Sequence, residues 1–151
     1  MRLAPLSDPD AINAVLQHPA IAPKLRHDAR EPGFIDHPAV RYVGAWIERF
    51  AGVFVAIEVS PWEVEAHVAL LPHALPQSRD LAQMFIAREF ERPELQRITA
   101  KVLGTLPSAA NFCRKVGFVD EGMMRAACRI NGEPVDVVVL GSVKPPPTHA
   151  P

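Results

Sequence analysis

A small number of titratable and nucleophilic side chains fall at spacings that could do chemistry. Glu65 and His67 stand two residues apart in the run Trp62–Leu71, with Glu63 two positions further back. Residues two apart on an extended strand share a face. A carboxylate and an imidazole are therefore offered side by side, a pair suited to taking a proton from a nucleophile. The same pattern is also what a solvated or hydrogen-bonded strand face looks like. Cys113 carries a thiol that could protonate a leaving group, yet it lies on an apolar helical stripe and reads equally as a small core residue. His73 and the pair Asp36–His37 fall in loops, open to a ligand or to water. Arg114 and Lys115 share a polar helix face and could meet a phosphate, or only solvent. Nothing among the cysteines and histidines has the spacing of a metal site.

The elements that must position these groups follow from periodicity. Trp62–Leu71 alternates strictly: Trp62, Val64, Ala66, Val68 and Leu70 point one way and Glu63, Glu65 and His67 the other, the pattern of a half-buried strand. Two strands precede it, Val40–Phe50 and Val53–Ser60, with a turn expected at Ala51-Gly52. Before them come a short helix over Pro9–Gln17, with Ser7 or Asp8 as its cap, and a proline-broken loop over 18–38. After a loop at Pro72–Ser78, Arg79–Arg92 has a wide apolar arc and reads as a helix buried against a sheet. Arg97–Leu103 is a short strand. Pro107–Val116 is a helix with Ala109, Phe112, Cys113 and Val116 in one stripe. Asn131-Gly132 sits between the last two strands, Gly122–Ile130 and Val135–Leu140, as a two-residue hairpin turn. Trp46 and Trp62 read as sheet-face core or interface residues.

Composition narrows the class. The chain has 151 residues, 48% hydrophobic and 22% charged, with a formal net charge of −1. That length suits one domain, expected over residues 1–143, which buries roughly 70% of its unfolded surface without cross-links. A near-neutral balance gives no field to draw nucleic acid or anionic lipid, so neither is expected as a partner. No apolar run approaches the ~18 residues of a membrane helix, and no basic-then-apolar leader is read. A cytoplasmic protein with Cys113 and Cys128 reduced is expected. Residues 144–151, rich in proline, read as a flexible tail.

The run Asn111-Phe-Cys-Arg-Lys-Val-Gly-Phe-Val-Asp-Glu-Gly122, followed by Arg125, Asn131-Gly132, Asp136 and Leu140-Gly141, resembles the GNAT superfamily of acyl-CoA-dependent N-acetyltransferases. Glu65-Ala-His67 followed by Leu70-Leu71-Pro72 is also similar to small phage-encoded GNAT-like proteins. The resemblance spans about Val40 to Gly141. It implies an α/β (α+β) fold: a mixed, mostly antiparallel twisted sheet of six to seven strands with three to four helices. In that fold two central parallel strands, here Trp62–Leu71 and Arg97–Leu103, splay apart and admit the pantetheine arm of acetyl-CoA. The implied roles are backbone groups of Leu70 and Leu71 on the thioester carbonyl, Gln77, Ser78, Arg79 and Asp80 around the pyrophosphate, and Glu65 or His67 as base. Cys113 stands where the family has a proton-donating Tyr.

The chain departs from the family in its phosphate loop. Positions that carry Arg or Gln, then Gly, then Gly or Ala in relatives hold Leu75, Ser78 and Asp80 here. Glycine lets backbone N–H groups approach phosphate closely, whereas Asp80 sets a carboxylate beside it. Ser78 as a helix cap and Arg79 as a direct contact offer compensation. Two functions are therefore carried forward. One is direct acetyl transfer from acetyl-CoA to the amine of a small molecule or peptide. The other is a non-catalytic GNAT-fold binding or structural protein that has lost acetyl-CoA use. A homodimer through an exposed strand edge is compatible with either.

Overall fold

The computed structural model describes residues 1–147. The expected tail at 144–151 thus lies partly outside the described residues. Lys144 itself is tied down, its N–H donating to the Gln96 carbonyl and its Nζ to that of Arg92.

Seven strands form one sheet: β1 (Arg2–Pro5), β2 (Val40–Ile47), β3 (Arg49–Ser60), β4 (Glu63–Leu70), β5 (Arg97–Leu103), β6 (Val119–Ile130) and β7 (Glu133–Val143). Their order across the sheet is β1-β2-β3-β4-β5-β7-β6. β4 and β5 run parallel, and the other neighbouring pairs are antiparallel. Among the described residues four helices accompany it: α1 (Pro9–Leu16), α2 (Ala22–Leu25), α3 (Ser78–Phe90) and α4 (Pro107–Lys115), with a 3₁₀ stretch over Pro72–Gln77. This is the mixed sheet the sequence implied.

The alternation of β3 and β4 divides the core between two faces. On one, Phe54, Val64 and Leu70 pack with Leu81 and Phe85 of α3, and the Phe54 and Phe85 rings stack at 4.5 Å. On the other, Val53, Val55 and Ala69 pack with Ile12 and Val15 of α1. Each such fully buried aliphatic or aromatic side chain contributes about 1.5–3 kcal/mol, so burial on both faces holds β3 and β4 rigidly at the centre. The wide apolar arc of α3 includes one acid, Glu89, buried at 2% exposure. Arg41 Nη2 meets it at 2.5 Å, and Arg41 and Arg92 together clasp Glu58.

The structure corrects three expectations. The β2–β3 turn lies at Glu48, with φ 62°, not at Ala51-Gly52. Gly52 is inside β3, where φ is +146° and a Cβ would collide with the Ala69 carbonyl and lie 2.8 Å from Leu70 Cα. Glycine is required there by close strand approach, not by a turn. β1 was not read from sequence at all, being four residues with no pattern of its own. Trp62 is not core: it lies in the β3–β4 turn, 54% exposed. At the far edge β6 leaves Val119 and Met123 exposed.

Candidate active site

The site begins where β4 and β5 part. They pair only through Glu63↔Arg97, Val64↔Ile98 and Glu65↔Thr99. Beyond Glu65 the two strands no longer pair with each other, β4 running on beside β3 to Leu70 and β5 beside β7 to Leu103, and a cleft of about 860 Å³ opens between them. Ala66 and Val68 line it from β4, Ala100 and Val102 from β5, and Phe112 and Cys113 from α4. Backbone polar groups in such a gap have no strand to pair with.

Alternation decides which of these groups face it. The Leu71 N–H donates to the Ala51 carbonyl at 2.8 Å, toward β3. The residues one register away (Ala66, Val68 and Leu70) therefore turn their amides toward β5. Leu70 has its side chain in the core and, like Leu71, does not line the cleft. The exposed backbone is thus centred a little earlier than the Leu70–Leu71 pair expected from sequence, and Leu71 is excluded because its amide is already engaged.

On the opposite side of β4 the polar residues form a ladder across the parallel pair. Thr99 Oγ1 donates to Glu63 Oε2 at 2.7 Å, and Arg97 bridges Glu63 and Glu121. Glu65 holds His67 Nε2 at 2.9 Å through one oxygen and Lys101 Nζ at 3.0 Å through the other. The hydrogen bond from His67, reinforced by Lys101, brings the Glu65 carboxyl down to about 2 against the pull of burial. Glu65 is therefore an anion at neutral pH and a poor proton acceptor. A carboxylate only accepts hydrogen bonds, so Nε2 of His67 is the donor in that bond and Nδ1 is the ring nitrogen that Glu65 does not engage. His67 is partly exposed in the cleft wall. Burial pushes the Cys113 thiol up, keeping it protonated beside the cleft.

A second pocket, of about 450 Å³, adjoins the starts of α3 and α4 and shares Phe112 with the cleft. Ser78, Arg79, Asp80, Ser108 and Lys115 line it. The cap residues of both helices, Gln77 and Leu106, make no side-chain capping bond, which leaves the first backbone N–H groups open, although Asp80 in the first turn of α3 brings a negative charge to that end. Ser78 is itself helical, at φ −59°, ψ −40°. It does not cap α3 as expected, because the helix begins one residue earlier than the sequence suggested. Gln77 does not line the pocket.

The remaining candidates separate cleanly. Lys115 faces the second pocket, while Arg114 turns away to grip Asp120 and Asn111. His37 Nδ1 accepts from the Ala39 N–H, and Asp36 is exposed. His73 lines neither space, and its Nε2 is buried without a partner among the described residues. Sequence reasoning missed Lys101, although Arg97, Thr99 and Lys101 alternate as a polar face that matches Glu63, Glu65 and His67. It also missed Asp28, whose two carboxylate oxygens accept from the Asn131 and Gly132 amides at 2.8 Å each. That latch joins the loop after α2 to the β6–β7 hairpin over the cleft. The two free thiols, Cys113 and Cys128, both line it.

No protein-family model matches the chain, and no curated protein sequence does. Solved structures do. The spermidine N-acetyltransferase of Vibrio cholerae, in complex with CoA and spermine, is similar at 19% identity and a TM-score of 0.78, over 95% of each chain. A protein from Chromobacterium violaceum described as a probable GNAT-family acetyltransferase is similar at 17% identity and a TM-score of 0.76, over 94% of this chain and 86% of the other. A Streptococcus mutans structure is similar at 16% identity and a TM-score of 0.75, over 96% and 100%. At these identities the likeness is one of fold.

Proposed function

We propose that this chain, which has the GNAT acetyltransferase fold, transfers an acetyl group from acetyl-CoA to an amine. The observation that carries the reading is the parted β4–β5 pair, whose cleft runs on into a cationic pocket beside two uncapped helix starts. Acetyl-CoA would supply the acetyl group as a thioester. The inward amides of β4 around Val68 would hold the thioester carbonyl and stabilise charge developing on its oxygen. Arg79, Lys115 and the start of α3 would hold the pyrophosphate. His67 Nδ1 would take the proton of the incoming ammonium, while Glu65 and Lys101 fix the ring. The C–N bond then forms as the C–S bond breaks; Cys113, the thiol on α4, would protonate the departing thiolate, and the second proton shed by the new amide nitrogen would restore that thiol, so that CoA leaves as a thiol.

A direct test is thermal unfolding with CoA. At ~100 times its Kd a ligand stabilises by about 2.7 kcal/mol, roughly 5–10 °C for a domain this size. No shift at millimolar CoA would end the enzyme reading. It would leave the second one, a binding or structural protein on the same fold. That alternative is favoured by one observation, the Asp80 carboxylate in the phosphate pocket.

A further inference from the structure

The lining of the cleft outside the β4–β5 gap points to the kind of amine it accepts. Its walls are apolar, including Leu16, Leu25, Ile35, Val55 and Ile57. Its charges are unevenly used. Two carboxylates line the cleft: Glu65 gives both oxygens to His67 and Lys101, and Glu31, largely exposed, meets Arg26 Nε at 2.8 Å through one oxygen. Nearby Asp28 spends both oxygens on the hairpin amides. The cations are not matched in the same way. Lys24 and Arg30 line the cleft and have no carboxylate partner among the described residues. Arg129 lines it too, and its side chain donates only to the Gly132 carbonyl at 3.4 Å, with Asp28 the nearest balancing charge. His27 turns Nδ1 to the Ala29 amide.

A polyamine needs several carboxylates free to receive it. This rim offers only Glu31, already paired with Arg26 through one oxygen, and presents surplus positive charge instead. From this we infer that the acceptor is an amine that also carries a carboxylate on an apolar body, such as an apolar α-amino acid, and not a polyamine. The apolar walls take the body, Lys24 and Arg30 take the carboxylate, and the amine is left for His67. The inference rests on the acetyl-transfer reading for its meaning but not for its test, since acceptor binding can be measured without turnover.

The test titrates the protein, with CoA present and absent, with phenylalanine, phenylalaninamide and spermidine. The amide keeps the amine and the ring and lacks the carboxylate. Phenylalanine is expected to bind at least about tenfold more tightly than its amide, the ratio of one charge-assisted contact, and spermidine more weakly than either. The double variant Lys24→Glu, Arg30→Glu, both exposed residues, should erase that ratio with an unchanged Tm. Tighter binding of spermidine, equal binding of acid and amide, a ratio surviving the double variant, or no binding of any probe would overturn the inference. Acetyl transfer from acetyl-CoA is scored separately. Carboxylate-selective binding without transfer would sink the enzyme reading and leave the recognition intact.

Discussion

The cleft's two ends are built on different plans. At the amine end the acid–base pair Glu65 and His67 hangs on strand backbone, with only Cys113 brought in by a helix, and the charges are interlocked: Glu65 serves His67 and Lys101, and Glu63 serves Thr99 and Arg97. At the phosphate end the same work falls to two helix starts and exposed side chains, with Asp80 set among Arg79 and Lys115. Strands buried on both faces hold side chains to within fractions of an ångström, whereas a helix start tolerates exchange of its first-turn residues. Under the acetyl-transfer reading, the difference teaches that the sheet would specify the chemistry on the acceptor and a more exchangeable helix start the affinity for cofactor. On that reading a chain could keep its base while its phosphate loop holds no glycine.

Substitutions at the two ends should separate these roles. His67→Ala should lower kcat about 10²–10⁴-fold, the usual contribution of a general base, and leave the CoA-induced Tm shift in place. A full rate, or a lost shift, would break the division. Ser78→Glu adds a carboxylate at the start of α3 and should remove the roughly 2.7 kcal/mol of CoA stabilisation, while acceptor binding by calorimetry stays unchanged. Asp80→Asn should act oppositely and tighten CoA by about fivefold, equivalent to ~1 kcal/mol for one charge pair in a solvent-facing site. An unchanged Kd would mean that the carboxylate lies clear of the phosphates.

The smallest effect is on acid stability. The Glu65 carboxyl is depressed from 4.5 to about 2 in the folded chain. Its contribution is complete above 4.5 and disappears as pH falls toward 2. Urea midpoints of the wild type and Glu65→Gln should converge over that interval. Parallel curves would show that the His67–Lys101 clamp adds no stability.

Much of the amine end was legible because it obeys a period. The two-residue alternation of β4 separated Val64 and Leu70 from Glu65 and His67, and the stripe on α4 marked Phe112 and Cys113. That stripe turned out to line the cleft more than the core, with Ala110 and Val116 the buried residues of the segment. Asn131-Gly132 gave the hairpin, with φ positive at both residues. What escaped depended on contacts distant in sequence. Gly52 reads as a turn until Ala69 and Leu70 are known to press against it. Lys101 has meaning only once β5 is set beside β4 in register, and Asp28 only once the hairpin is brought to it across a hundred residues. The uncapped start of α3 is invisible because Ser78 is a good cap by type and simply sits one position too late.

The latch and the strand order carry a consequence for biosynthesis. β7 wedges between β5 and β6, and the loop near residue 28 finds its amides only at 131 and 132. On a ribosome, the nascent chain would therefore display β5's apolar margin unshielded until the last strand emerges, the kind of long-range pairing that slows folding. The β5 side of the cleft is therefore completed only when β7 takes its place, in one late step instead of by gradual accretion.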